Sequence, residues 1–233
     1  MVTTSHPGRK FSWASFAVAT AIAIVAVSAL IILGRVSYAR TDFFPLPPTS
    51  DSPGVTTLPP DTFIGSPNAL VTIVVYSDFQ CGPCQAFALI TEKELERNYI
   101  EAGKVRIVYK HLIEGGEESM LAAQAAECAA EQNKFWPYHD LLMQIRASST
   151  VSDLSVAKLE SLAQQLGLNI ETFDDSLMSG KFKEKVLHDD AEARALGVTG
   201  TPTFFINRMK GTGYKPFEAF QKVIEELLHR SVN

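Results

Sequence analysis

The stretch Tyr76-Ser77-Asp78-Phe79-Gln80-Cys81-Gly82-Pro83-Cys84 decides how the chain is read. Before it runs Leu70 to Val75, a β-branched segment that reads as a buried strand. After it come Gln85-Ala86-Phe87-Ala88-Leu89-Ile90 and further good helix formers to about Tyr99. Strand, Cys-x-x-Cys, helix is the arrangement that dithiol chemistry needs. Cys81 then sits at a helix N-terminus, where free N–H groups and the helix dipole stabilise a thiolate. Pro83 fits the first turn because its missing N–H has no partner there anyway. A thiol so placed has its pKa lowered from about 8.5 to roughly 3.5–7.5. Cys84, one turn on and facing inward, can close a short disulfide with it. Half a zinc site is the rival reading of two such cysteines. The one other cysteine is Cys128, however, and no histidines stand at zinc spacing.

The 233 residues allow one ordinary domain with appendages, and the formal net charge is −5. Residues 61–233 carry 17 basic and 24 acidic side chains, which argues against nucleic acid as a partner of the folded part. With three cysteines this is no disulfide-stapled scaffold. Phosphate-binding glycine loops and metal motifs are not visible, so no cofactor is expected beyond the cysteine pair itself.

The N-terminal part reads as a membrane anchor. After a short tail (1–12), Trp13 to Leu33 is an uncharged run of 21 residues, apolar except for Ser15, Thr20 and Ser28. At about 1.5 Å per residue it spans roughly 30 Å, the hydrocarbon thickness. A cleaved signal peptide is the alternative, but the run exceeds the roughly 7–15 residues of a signal h-region. The expectation is an uncleaved span over 13–34, with the long C-terminal part outside the cytoplasm. Residues 35–60 read as a linker. Six of the twelve prolines lie between Phe43 and Pro60, so this segment is expected to be a solvated spacer rather than a fold element.

The domain is expected over 61–233. Lys104 to Tyr109 alternates as a second strand, and helical patterning dominates from about 112 to 197. In that block Leu121, Ala125 and Cys128 share a face, as do Phe135, Tyr138, Leu142 and Ile145. Ser152 or Asp153 is expected to cap a helix that Gly167 stops, and another helix is expected from Lys181 to Leu196. Strand character returns at Thr203-Phe204-Phe205-Ile206, then a short edge strand over Lys210 to Tyr214, and Pro216 opens the last helix. The order is that of an α/β domain with a helical insertion. Cys128 reads as a small buried residue among Ala122, Ala125 and Ala129, with a resolving thiol as the sharper alternative. Glu114-Gly115-Gly116-Glu117-Glu118 reads as a loop and an acidic helix start.

From about Asp61 to Arg230 the chain resembles DsbA-like thioredoxin-fold proteins, especially the membrane-anchored Gram-positive (BdbD) type. The matching pieces are Ser77 to Cys84, Ala125 to Ala129 with Phe135 to Asp140, Gly197 to Thr203, and Pro216 to Phe220. The resemblance implies a thioredoxin fold whose helical insertion lies over the active site. It also implies that Pro202 is a cis-proline facing the catalytic Cys81 and Cys84, with Thr201 offering backbone hydrogen bonds to an extended substrate. Its expected activity is thiol–disulfide oxidoreduction on extracytoplasmic protein thiols and disulfides, most simply as an oxidase. Reoxidation by a quinone-linked membrane partner of the DsbB or vitamin K epoxide reductase type is implied with it. Two departures stand out. Gly82-Pro83, the dipeptide that tunes the potential, is the pair typical of reducing thioredoxins, so a disulfide reductase stays open. The buried acid that relatives place six residues before the first cysteine is here Val75, which leaves Asp78 or a water for its proton. A membrane-tethered binding or chaperone module with a structural cysteine pair is the reading from another class.

Overall fold

A computed structural model describes residues 43–46, 62–148 and 154–232. The expected membrane span, most of the linker and the expected caps Ser152 and Asp153 lie outside these residues. No helix among the described residues is long and apolar enough to cross a membrane.

The described residues form a six-stranded sheet, of order β1-β6-β5-β3-β4-β2. Its strands are β1 (Phe44–Pro45), β2 (Phe63–Gly65), β3 (Val71–Ser77), β4 (Val105–His111), β5 (Thr203–Ile206) and β6 (Met209–Thr212). Only β3 and β4 are parallel neighbours, and every other pairing is antiparallel. All seven residues of β3 are buried, which is why it reads as a continuous apolar run rather than an alternating one. Its side chains still divide between two cores. Val71, Ile73 and Val75 join Ile107, Tyr109, Phe204 and Ile206 on one face, while Val74 and Tyr76 join Val108 and Phe205 on the other.

Helix α1 covers residues 82–100. In it, α-helical turns Gly82–Ala86 and Glu92–Leu95 alternate with wide π turns Phe87–Thr91 and Glu96–Ile100. Between β4 and β5 lie α2 (Gly116–Glu131), α3 (Phe135–Ser148), α4 (Val156–Gln165), α5 (Ile170–Met178) and α6 (Lys183–Ala195). The last helix is α7 (Phe217–Val232). Helices α1, α2 and α3 pack on the first core, and Phe220 and Ile224 of α7 complete it. Gly180, at φ +67°, turns the chain between α5 and α6, so the helix expected from Lys181 begins two residues later. Ser155 takes the N-cap of α4. Cys128 is fully buried beside Ala125 and Ala129, and burial pushes its thiol up to about 12.

The linker expectation needs one correction. Phe43–Leu46 belong to the fold although they sit in the proline-rich segment. Phe44 and Pro45 pair with Lys210 and Met209, and the Leu46 N–H donates to the Arg208 carbonyl at 2.9 Å. The cause is Phe43, which is buried edge-on against Phe204 and Phe220 with ring centroids 6.5 and 5.2 Å away. Gly211 makes room for it, since a Cβ there would lie 2.6 Å from the Phe43 ring. Proline is compatible with such an edge strand, where one side of the backbone needs no donor. The other unexpected strand, β2, ends at Gly65, whose φ of +107° and 2.6 Å approach of a Cβ to the Val105 carbonyl demand glycine.

Phe43→Ala is expected to destabilise the domain by about 3 kcal/mol, the usual cost of emptying an aromatic site. Urea unfolding at unchanged m-value measures it. A loss below about 1 kcal/mol would mean that Phe43 does not anchor the edge strand.

Glu92 lies in the interface between α1 and α3, 3% exposed, with no partner for its Oε2. Burial raises its pKa from 4.5 to about 7, with His139 and Lys93 opposing. The folded protein therefore holds this proton longer than the unfolded chain does. Stability falls as pH rises from about 4.5 to 7 and the cost is full above that. Glu92→Gln is expected to gain stability relative to wild type between pH 5 and pH 8, by up to ~3 kcal/mol. Equal differences in Tm at both pH values would refute the buried-acid account.

Candidate active site

Three connections meet at one end of the sheet because of strand register. In the antiparallel β3–β5 pair, Tyr76 lies opposite Thr203, so the residues before Thr203 run alongside those after Tyr76. In the parallel β3–β4 pair, Ser77 lies opposite His111, so the residues following His111 emerge on the other side. Cys81 and Cys84 leave β3, Thr201 and Pro202 enter β5, and Ile113–Gly115 leave β4 at the same place. Sites at the C-terminal ends of parallel strands are the general rule for α/β sheets.

Cys81 is the N-cap of α1 and accepts a hydrogen bond from the Cys84 N–H at 3.3 Å. Pro83 stands in the first turn. Gly82 and Pro83 are exposed, and a Cβ on Gly82 would meet nothing. Cys81 is partly exposed and Cys84 is fully buried; both are free thiols in this structure. The two sulfurs are pushed in opposite directions. A hydrogen bond from the Cys84 thiol lowers Cys81 to about 7, against the effect of burial and with help from Thr201. Burial, and then the neighbouring Cys81 sulfur, drives Cys84 far above its ordinary value. One thiol is thus an accessible nucleophile and the other a protonated reserve.

The Thr201–Pro202 bond is cis, and the Cys81 thiol donates to the Thr201 carbonyl at 3.5 Å. The structure therefore brings Cys81, Gly82, Pro83 and Cys84 together with Thr201 and Pro202. It also gives two further residues, Asp78 and Glu114, roles at the site that differ from those expected of them. Asp78, 3% exposed, was left as a stand-in proton carrier, yet its carboxylate is fully engaged by the surrounding loops. Oδ1 accepts from the Gln80 N–H and the Ser119 hydroxyl, both at 2.7 Å. Oδ2 accepts from the N–H groups of Glu114 at 2.7 Å and Gly115 at 3.2 Å. Glu114, read as an ordinary loop residue, accepts the Thr201 N–H at 3.1 Å and also the Thr201 hydroxyl. No local sequence signal marks the contacts of Asp78 with Glu114, Gly115 and Ser119 or that of Glu114 with Thr201, since these partners lie far along the chain.

Two groups among the described residues bring three possible metal-ligand atoms within 4.8 Å, Glu92–His139–Asp140 and His188–Asp189–Glu192. Neither includes a cysteine. Each already holds a lysine ammonium: Lys93 on Asp140 at 2.6 Å, and Lys110 on Asp189 and Glu192 at 2.8 and 3.0 Å.

Residues 57–226 match the family model described as Thioredoxin. The chain belongs to the thioredoxin family. Relatives that it resembles carry the names disulfide bond formation protein and protein-disulfide oxidoreductase. It is 29% identical over 172 residues to the probable disulfide bond formation protein D of Bacillus cereus, covering 72% of this chain and 78% of that one. It is 32% identical over 162 residues to the Na(+)/H(+) antiporter NhaA 3 of Salinispora tropica, but the match spans only 24% of that protein and 69% of this one. Its fold is similar to that of oxidised BdbD from Bacillus subtilis, with a TM-score of 0.68, 23% identity, and 72% and 93% of the two chains covered.

Alkylation of the reduced protein is expected to titrate with a midpoint near pH 7, because a lowered pKa exposes the thiolate two pH units below its ordinary range. Cys84→Ala removes the thiol donor and is expected to move that midpoint upward. A midpoint near pH 9 in wild type, or no movement in the variant, would show that Cys84 does not hold the Cys81 thiolate.

Proposed function

We propose that this chain oxidises pairs of thiols in proteins outside the cytoplasm, using a Cys81–Cys84 disulfide and working from an N-terminal membrane anchor over 13–34. The observation that supports this best is the asymmetry of the two sulfurs beside the Thr201–Pro202 loop. Similarity to disulfide bond formation proteins favours the oxidising direction.

In the first step a substrate thiolate attacks Cys81 Sγ. The Cys81–Cys84 bond breaks, and Cys84 leaves with the electron pair and takes up a proton, which its burial favours. The second substrate thiolate attacks the substrate sulfur of the mixed disulfide. The bond to Cys81 breaks, and Cys81 leaves as the better stabilised thiolate. The substrate has lost two electrons and the enzyme holds them as a dithiol. A quinone-linked membrane protein of the DsbB or vitamin K epoxide reductase type would take them back. Pro202 and Thr201 would hold the substrate backbone while Gly82 and Pro83 tune the potential.

The reductase reading keeps one specific support. Gly82-Pro83 is the dipeptide of reducing thioredoxins, and a thiol near 7 matches thioredoxin rather than the value of about 3.5 in DsbA. The reduction potential of the full chain, trapped across a series of redox buffers, decides between them. A potential more oxidising than about −180 mV is expected for an oxidase, and one below about −250 mV would make the chain a reductase. Cys81→Ser is expected to abolish turnover and Cys84→Ser to accumulate the mixed disulfide; full activity of Cys81→Ser would end both redox readings.

A further inference from the structure

A peptide bonded to Cys81 through sulfur has its Cα about 5.5–6 Å from that of Cys81. Strands pair at about 4.7–4.9 Å. Because the Cys81 sulfur lies 3.5 Å from the Thr201 carbonyl, a substrate sulfur bonded to Cys81 would bring the substrate chain beside the Thr201 backbone. The backbone of Thr201 is then the edge on which an extended substrate docks, by carbonyl and N–H as in strand addition. In this structure the N–H half of that edge is taken. Glu114 holds it at 3.1 Å, and the same carboxylate oxygen accepts the Thr201 hydroxyl.

The contact is built rather than incidental. Residue 114 is fixed by its own backbone N–H on Asp78, which is buried and also ties down Gln80, Gly115 and Ser119. The Cys81 N–H in turn donates to the Asp78 carbonyl at 3.1 Å, so Glu114 and Cys81 hang from one residue. The Arg194 guanidinium donates to the neighbouring Ile113 carbonyl at 3.3 Å and holds the loop from outside. The Glu114 side chain itself is exposed and can swing away without disturbing these anchors.

We propose that Glu114 is a specificity-determining gate: its carboxylate stands in for a substrate carbonyl at the Thr201 N–H, and a peptide docks only by displacing it. This rests on the oxidoreductase reading above. Polypeptide substrates must offer enough backbone and side-chain contact to compete with a charge-assisted hydrogen bond. Small thiols, which need only the sulfur, pass the gate unopposed. The device therefore sets which thiols reach Cys81 at a useful rate, independently of the potential of the cysteine pair.

The test uses the full chain with the Cys81–Cys84 disulfide preformed. Its second-order reduction is timed with dithiothreitol and with an unstructured peptide carrying two cysteines. In Glu114→Ala the ratio of peptide rate to dithiothreitol rate is expected to rise by about 3- to 10-fold, the range of one net hydrogen bond. In Glu114→Gln, which keeps an acceptor oxygen but loses the charge, the rise is expected to be smaller. Both variants keep the backbone N–H that binds Asp78, so the loop stays anchored. An unchanged or lowered ratio in Glu114→Ala would overturn the gate. A wild-type disulfide that dithiothreitol cannot reduce would overturn the oxidoreductase reading and the gate with it.

Discussion

A single buried carboxylate organises the working end of this molecule. Asp78 leaves strand β3 three residues before Cys81 and gathers four donors from its own loop, the loop after β4 and the first turns of α2. A carboxylate buried to this extent is tolerated because every donor is close and the hydrogen bonds are charge-assisted. Removing it would strand four donors at once. The Asp78 side chain takes the Gln80 N–H and its carbonyl the Cys81 N–H, so the chain entering α1 is held by the same residue.

The sheet supplies the rigid half of that arrangement. A β3 strand buried on both faces cannot slip register without moving every side chain to the wrong core. The same register that pairs Tyr76 with Thr203 and Ser77 with His111 is what delivers three loops to one spot. The chemistry of the two thiols then follows from depth. Cys81 keeps access to solvent and gains a donor, whereas Cys84, one helical turn further, loses hydration.

Much of this was legible from residues alone, for reasons that are local. Thr203 to Ile206 reads as a strand and is one, because four β-branched or aromatic residues follow a proline. The Cys81 cap is legible because Cys-x-x-Cys, Pro83 and the following helix formers all act within one turn. What escaped was non-local or short. Phe43 lies in a segment whose prolines announce a spacer, and only the pocket formed with Phe204, Gly211 and Phe220 makes it a strand anchor. β2 has three residues, too few to show a period. The wide turns in α1 leave no mark on a helical pattern. Asp78 meets Glu114 36 residues away, and Glu114 meets Thr201 across 87, distances at which a single sequence carries no signal.

The burial of Cys128 has a consequence for how such a protein can live among reactive thiols. Packed among alanines and with its proton held well above the ordinary range, it offers no thiolate to a passing disulfide. In the proposed function, exchange would thereby be confined to two sulfurs, and each encounter would move a single electron pair with no internal rearrangement to compete. A third accessible thiol would open mispaired forms to that exchange, and the burial of Cys128 would close them.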